Sequence, residues 1–137
     1  MAVRFAGYAA VFDRTDRGGD VVRRGAFARA VAAGAGRVPL LWQHRTGEPI
    51  GRIECIAEDE RGLRVIARLS PQSTAGREAA ALLKDGAVGG LSFGYRVRDA
   101  KAGAVRELTD LDLIEISLVT FPMQPLARVH AVDEREG

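Results

Sequence analysis

The sequence predicts a mainly β chain with inserted helices, an α+β domain whose strands pair antiparallel. Three observations carry this. Leu63, Val65, Ala67 and Leu69 alternate with Arg64, Ile66 and Arg68, the period of a half-buried strand. Apolar strand-like segments recur along the chain and are joined by turns too short for parallel crossovers, which favours an antiparallel sheet or barrel over a doubly wound parallel sheet. Helical spacing appears in only two places, residues 25–33 and 74–85.

In chain order, residues 3–12 read as an opening strand of small residues, and 13–20, with Gly18 and Gly19, as a loop. Val21 and Val22 suggest a short strand. Residues 25–33 place Phe27, Ala30 and Val31 on one helical side, with Gly34 as a stop. Residues 38–42 read as a short apolar strand and 44–49 as a loop around Gly47. Residues 50–57 and 63–69 flank the polar turn 58–62 and predict a hairpin. Residues 74–85 form the clearest helix: Ser73 or Thr74 caps it, Ala79, Leu82 and Leu83 face the core, and Gly86 ends it. Strands are expected at 91–98, 105–108 and 111–121, after which Pro122 and Pro125 interrupt regular structure. Residues 1–130 are expected to form one domain. Residues 131–137, charged from Asp133 onward, are expected to be a frayed tail.

A chain of 137 residues is long enough for a core without disulfide or metal staples. Its net charge of +2 is mild and its basic residues are scattered, as on a solvated surface rather than a nucleic-acid footprint. No apolar run approaches the ~20 residues of a membrane span. The N-terminus lacks the order of a secretion signal. The lone Cys55 excludes an internal disulfide and fits a reducing compartment. Two histidines 86 positions apart (His44 and His130) and one cysteine offer no zinc spacing, so no metal or cofactor is expected. Asp13, Asp16 and Asp20 in a glycine-containing loop resemble a solvated turn more than a calcium loop.

Three strings carry chemistry. Leu40, Leu41, Trp42 and Gln43 lead into His44. Gly90, Leu91, Ser92, Phe93 and Gly94 precede Tyr95. Glu115 opens a run through Ile116, Ser117, Leu118, Val119, Thr120, Phe121 and Pro122. An imidazole, a hydroxyl and a carboxylate are the parts of an activated serine nucleophile: the base takes the hydroxyl proton and the acid orients the base. Each has an ordinary reading too. Glycines flanking a serine at a strand start are common, His44 could simply close its strand, and Glu115 could pair with an arginine. Residues 90–94 match the G-x-S-x-G of a nucleophile elbow, but that elbow needs a strand before the serine and a helix after it. Here the order is reversed, and the elbow assignment fails. Strand alternation puts Glu115 on one face with Leu113, Ser117 and Val119, and Asp112 on the other.

Taken together, these strings, with residues 5–8, 19–22, 25–27 and 48–51, resemble the prohead (procapsid maturation) serine proteases of tailed phages and phage-derived gene transfer agents. The resemblance covers nearly the whole chain. It implies a fold like that of herpesvirus assemblin, an antiparallel β-barrel surrounded by helices. It also implies a serine endopeptidase with Ser92 as nucleophile and His44 as base, the two expected within hydrogen-bond reach. The third member is Glu115 if the phage string supplies it, or His130 if it follows the second histidine of assemblin. The implied substrates are the scaffold or the N-terminal arm of the capsid protein, with self-processing. The implied place is the assembling prohead in the host cytoplasm. An oligomer is compatible with the sequence, and membrane or specific nucleic-acid partners are not expected. Because the chain ends soon after this domain, scaffold function is expected elsewhere or in a C-terminal part missing from this sequence. Two rival functions stand beside this one. The first is a non-catalytic scaffold-binding protein that keeps the fold. The second is a small β domain binding nucleic acid through Phe93, Tyr95, Arg96 and Arg98.

Overall fold

Alternating apolar residues set the strands, and helical spacing sets the helices, across residues 2–135, which the computed structural model describes. In chain order they are β1 (Ala2–Val11), β2 (Asp20–Val22), α1 (Ala28–Ala33), β3 (Pro39–Trp42), β4 (Arg45–Glu58), β5 (Gly62–Leu69), α2 (Thr74–Asp85), β6 (Gly90–Lys101), β7 (Arg106–Val119) and β8 (Val129–Arg135). They form one sheet ordered β2-β7-β3-β4-β5-β1-β8, with β6 also on β7. The expected hairpin is β4 with β5, antiparallel from Gly51↔Leu69 to Glu58↔Leu63. The helix at 74–85 is present. Ser73 accepts a hydrogen bond from the Gly76 N–H, and Gly86 closes the helix in the left-handed conformation, φ 82°.

Strand β7 organises the site. It pairs antiparallel with β6 over nearly its whole length. On its other side it pairs parallel with β2 near its start and with β3 near its end. The sheet is therefore mixed rather than purely antiparallel. A parallel pair needs a long crossover, and the β4, β5, α2 and β6 segments together provide it between β3 and β7. The sheet is not closed into a barrel: among the described residues the β6 and β8 ends are joined only by the isolated bridge Gly90↔Arg128.

Other expectations are corrected. The segment 44–49 is not a loop: β4 begins at Arg45, and the β3–β4 connection is only Gln43 and His44. Residues 131–135, expected to fray, belong to β8 and pair with β1, as in Ala2↔Arg135 and Phe5↔Val132. Asp133 and Glu134 are exposed, and the backbone completes a ladder. Leu82 is exposed, whereas Ala79 and Leu83 are buried. The segments 105–108 and 111–121 merge into β7. Among the described residues, no helix is long and apolar enough to cross a membrane.

The core lies on one face of the sheet, where Phe27 meets Phe93 edge-on at 5.2 Å and Phe93 meets Tyr95 at 4.9 Å. The aromatics of the nucleic-acid reading are thus core or core-packed residues, and Arg98 is paired with Asp112.

The β2–β7 junction is held by a two-pronged ion pair from Arg106 to the buried Asp20, at 2.9 and 2.8 Å. These guanidinium hydrogen bonds hold the Asp20 carboxyl below the usual aspartate range, against the opposing effect of burial. A depressed carboxyl stabilises the fold fully above its unfolded value of about 3.9 and loses that contribution as pH falls through the lower folded value. Asp20→Asn should therefore lower Tm at pH 7, with the gap to the parent closing in acid. Thermal unfolding at both pH values measures this, and an equal gap at both would refute it.

Candidate active site

Phe93 points into the core, so its neighbours on β6, Ser92 and Gly94, point to the opposite face. Across the ladder Ser92 stands opposite Ser117 and Gly94 opposite Glu115. Ser117 stands in turn beside Leu41 of β3. One sheet face thus carries Ser92, Ser117 and Glu115 on adjacent strands. Just past β3 the chain turns back through His44.

Leu113 does not share this face. A register shift between Gly94 and Tyr95 leaves Ile114 outside the pairing and exposed. Leu113 then falls opposite Tyr95 and packs on the core. The bulge resets the alternation just before Glu115 and lets a carboxylate and an apolar residue two positions apart go to different environments.

The turn that carries His44 is strained. Gln43 and His44 have φ of 51° and 61°. A two-residue hairpin turn with positive φ at both positions normally takes Asn or Gly, and left-handed backbone costs other residues ~1–2 kcal/mol each. The end of β7 compensates. The Gln43 N–H donates to the Leu118 carbonyl at 3.0 Å. The Gln43 side chain donates to Thr120 Oγ1 at 2.7 Å and accepts from the Thr120 N–H at 3.1 Å. The His44 N–H donates to Ser117 Oγ at 3.0 Å.

So held, the half-exposed His44 ring meets buried Glu115 through a short contact between Nδ1 and Oε1. A carboxylate only accepts, so Nδ1 carries the proton and Nε2 keeps its lone pair. Glu115 Oε2 accepts from the Ser117 hydroxyl at 2.6 Å. Both carboxylate oxygens are therefore engaged. Ser92 is buried, 6% exposed, and among the described residues its hydroxyl makes no hydrogen bond, to His44 or otherwise. Hydrogen bonds between nucleophile and base commonly tighten only when substrate binds. His130 lies elsewhere, on β8 with its ring 5.8 Å from that of Tyr8, and among the described residues it makes no hydrogen bond or ion pair to any of the three.

The two glycines around Ser92 serve close packing. A Cβ at Gly90 would sit 2.8 Å from both Pro122 Cδ and the Val119 carbonyl oxygen, and one at Gly94 would sit 2.7 Å from Glu115 Oε1. Gly94 reserves the space that the carboxylate occupies. Gly94→Ala should push Glu115 off His44 and lower turnover by about 10²-fold, the effect of an ångström-scale misplacement, with little change in Tm. Full activity in that variant, measured by peptide cleavage, would refute the crowding.

Sequence reasoning missed Gln43, Ser117 and Gly94 as supports of the site. A non-glycine pair in so short a turn and a serine two residues from Glu115 were the available signals. The aspartates of the 13–20 loop have internal partners: Asp13 pairs with Arg23, Asp16 accepts from the Gly18 and Asp20 N–H groups, and Asp20 binds Arg106.

The family model for the Caudovirus prohead serine protease matches residues 1–136. The chain is 34% identical over 138 residues to the prohead protease of Enterobacteria phage HK97, covering 97% of this chain and 61% of that protein. It is 30% identical over 105 residues to a capsid polyprotein of Pseudomonas phage PAJU2, covering 69% of this chain and 16% of that one. The chain thus spans less than two-thirds of the length of either relative. Among solved structures, the bacteriophage T4 capsid assembly protease superposes with a TM-score of 0.66 at 13% identity, over 85% of this chain and 80% of that one. The KSHV protease bound to a hexapeptide phosphonate inhibitor superposes with a TM-score of 0.62 at 12% identity, over 98% of this chain and 66% of that one. These two likenesses establish the mostly-β, herpesvirus-protease-like fold. The match along the whole chain and the HK97 relative together place this protein in the caudovirus prohead serine protease family.

Proposed function

We propose that the chain is a serine endopeptidase of procapsid maturation, with Ser92 as nucleophile, His44 as general base and Glu115 as orienting acid. The observation that carries this reading is the His44–Glu115 contact, one strand away from Ser92, in a member of this family. In the proposed cycle Ser92 Oγ attacks the scissile carbonyl and its proton passes to His44 Nε2. Glu115 stabilises the imidazolium through Nδ1–H. The imidazolium then protonates the leaving amine, and water, deprotonated by the same ring, hydrolyses the acyl-serine and restores the hydroxyl.

The substrates we propose are the scaffold and the N-terminal arm of the capsid protein, with self-processing, cut inside the assembling prohead of a tailed phage or gene transfer agent in the host cytoplasm. The relatives' names, prohead protease and capsid assembly protease, support this. We place the protease domain at residues 1–130, with β8 carrying its sheet on to Arg135, and propose a barrel-like arrangement in which the Gly90↔Arg128 bridge links sheet ends that are otherwise open. Co-expression of the chain with its capsid protein, followed by mass spectrometry of the capsid N-terminus, tests the reading. A trimmed N-terminus supports it. An intact one, with the capsid protein still co-purifying, favours a scaffold-binding role instead.

A further inference from the structure

Ser117 is fully buried, and a buried hydroxyl is costly unless hydrogen-bonded. It makes two bonds, and both go to the proposed catalytic pair. Its proton goes to Glu115 Oε2 at 2.6 Å, and its oxygen accepts the His44 backbone N–H at 3.0 Å. With no exposed surface and its proton committed, Ser117 is unsuited to attack a substrate, although it stands directly opposite Ser92 on the next strand. Its two partners belong to different elements. Glu115 sits on β7 itself, whereas His44 sits in the strained turn after β3, with φ of 61°.

The geometry points to Ser117 as a positioning residue that fixes acid and base relative to one another. It holds the carboxylate rotamer from one side and pins the unfavourable backbone of His44 from the other, so that Nδ1 meets Oε1. One hydroxyl thereby couples the hairpin turn to the strand that carries the acid. This inference rests on the assignment of His44 and Glu115 as base and acid.

The test compares Ser117→Ala and Ser117→Thr with the parent, using peptide cleavage and the downfield proton resonance of His44 Nδ1–H. The resonance is recorded in a Ser92→Ala background, so it does not depend on which residue is the nucleophile. Ser117→Ala should lower kcat by about 10²-fold with KM unchanged, as expected for misplacement of a reacting group. Its Nδ1–H resonance should move upfield or exchange-broaden. Ser117→Thr, which keeps the hydroxyl on a β-compatible side chain, should restore both. An alanine variant with parental kcat and an unmoved resonance would overturn the proposal. So would one that loses only thermal stability. A parent lacking the downfield resonance would instead overturn the His44–Glu115 pairing beneath it.

Discussion

Replacing Ser92 with alanine is expected to abolish processing of the capsid protein, a loss on the order of 10⁶-fold in kcat if Ser92 is the nucleophile. The fold should be untouched. Among the described residues the Ser92 hydroxyl has no hydrogen bond to lose, and the neighbouring Leu91 and Phe93 keep their core positions. Tm should therefore stay within a few degrees of the parent, as for changes away from packed or bonded groups. A fluorophosphonate probe should label the parent and not the variant. Continued trimming of the capsid N-terminus by a folded Ser92→Ala variant would remove Ser92 from the mechanism. In that case Ser117, buried and committed to Glu115, would not be an adequate substitute.

Glu115→Gln is expected to lower turnover by about 10⁴-fold, the size of effect seen when the orienting acid of a triad becomes an amide. Here the reason can be traced to single protons. The Ser117 hydroxyl donates to the residue at 115, so it keeps the amide oxygen on its own side. The amide NH₂ then faces His44 Nδ1, which must become an acceptor. The ring proton moves to Nε2, and the base loses the lone pair it needs. His130→Ala should be mild by the same cleavage assay, because His130 stands beside Tyr8 and, among the described residues, makes no hydrogen bond or ion pair to His44 or Glu115. A crippling His130→Ala with a nearly silent Glu115→Gln would replace Glu115 by His130 as the third member.

Much of this was legible in the sequence for local reasons. The alternation at 63–69, the capped helix at 74–85 and the turn at 58–62 depend on side-chain period and on turn chemistry, both of which are written residue by residue. The three strings holding His44, Ser92 and Glu115 were visible because each sets a polar, reactive side chain where its surroundings are apolar or glycine. Less visible was what depends on partners distant in sequence. Residues 131–135, charged from Asp133 onward, read as frayed, yet β1 supplies a ladder for them. Strict alternation put Leu113 beside Glu115, but the partner strand imposes a bulge at Ile114 that no local period announces.

What the sequence determined by itself was a mostly-β chain, its helices, and the three strings that hold His44, Ser92 and Glu115, the residues proposed as base, nucleophile and acid. These follow from local propensity, periodicity and motif. The tertiary structure decided the rest. It joined β3 to β7 in parallel, so that a turn at residue 44 comes within reach of a carboxylate at 115. It chose Glu115 rather than His130 as the neighbour of His44, and it turned Gly94, Gln43 and Ser117 from unremarked neighbours into supports of that contact. The physical reason is that strand pairing is non-local: which side chains share a face is set by register against a strand tens of residues away, and a single bulge changes it.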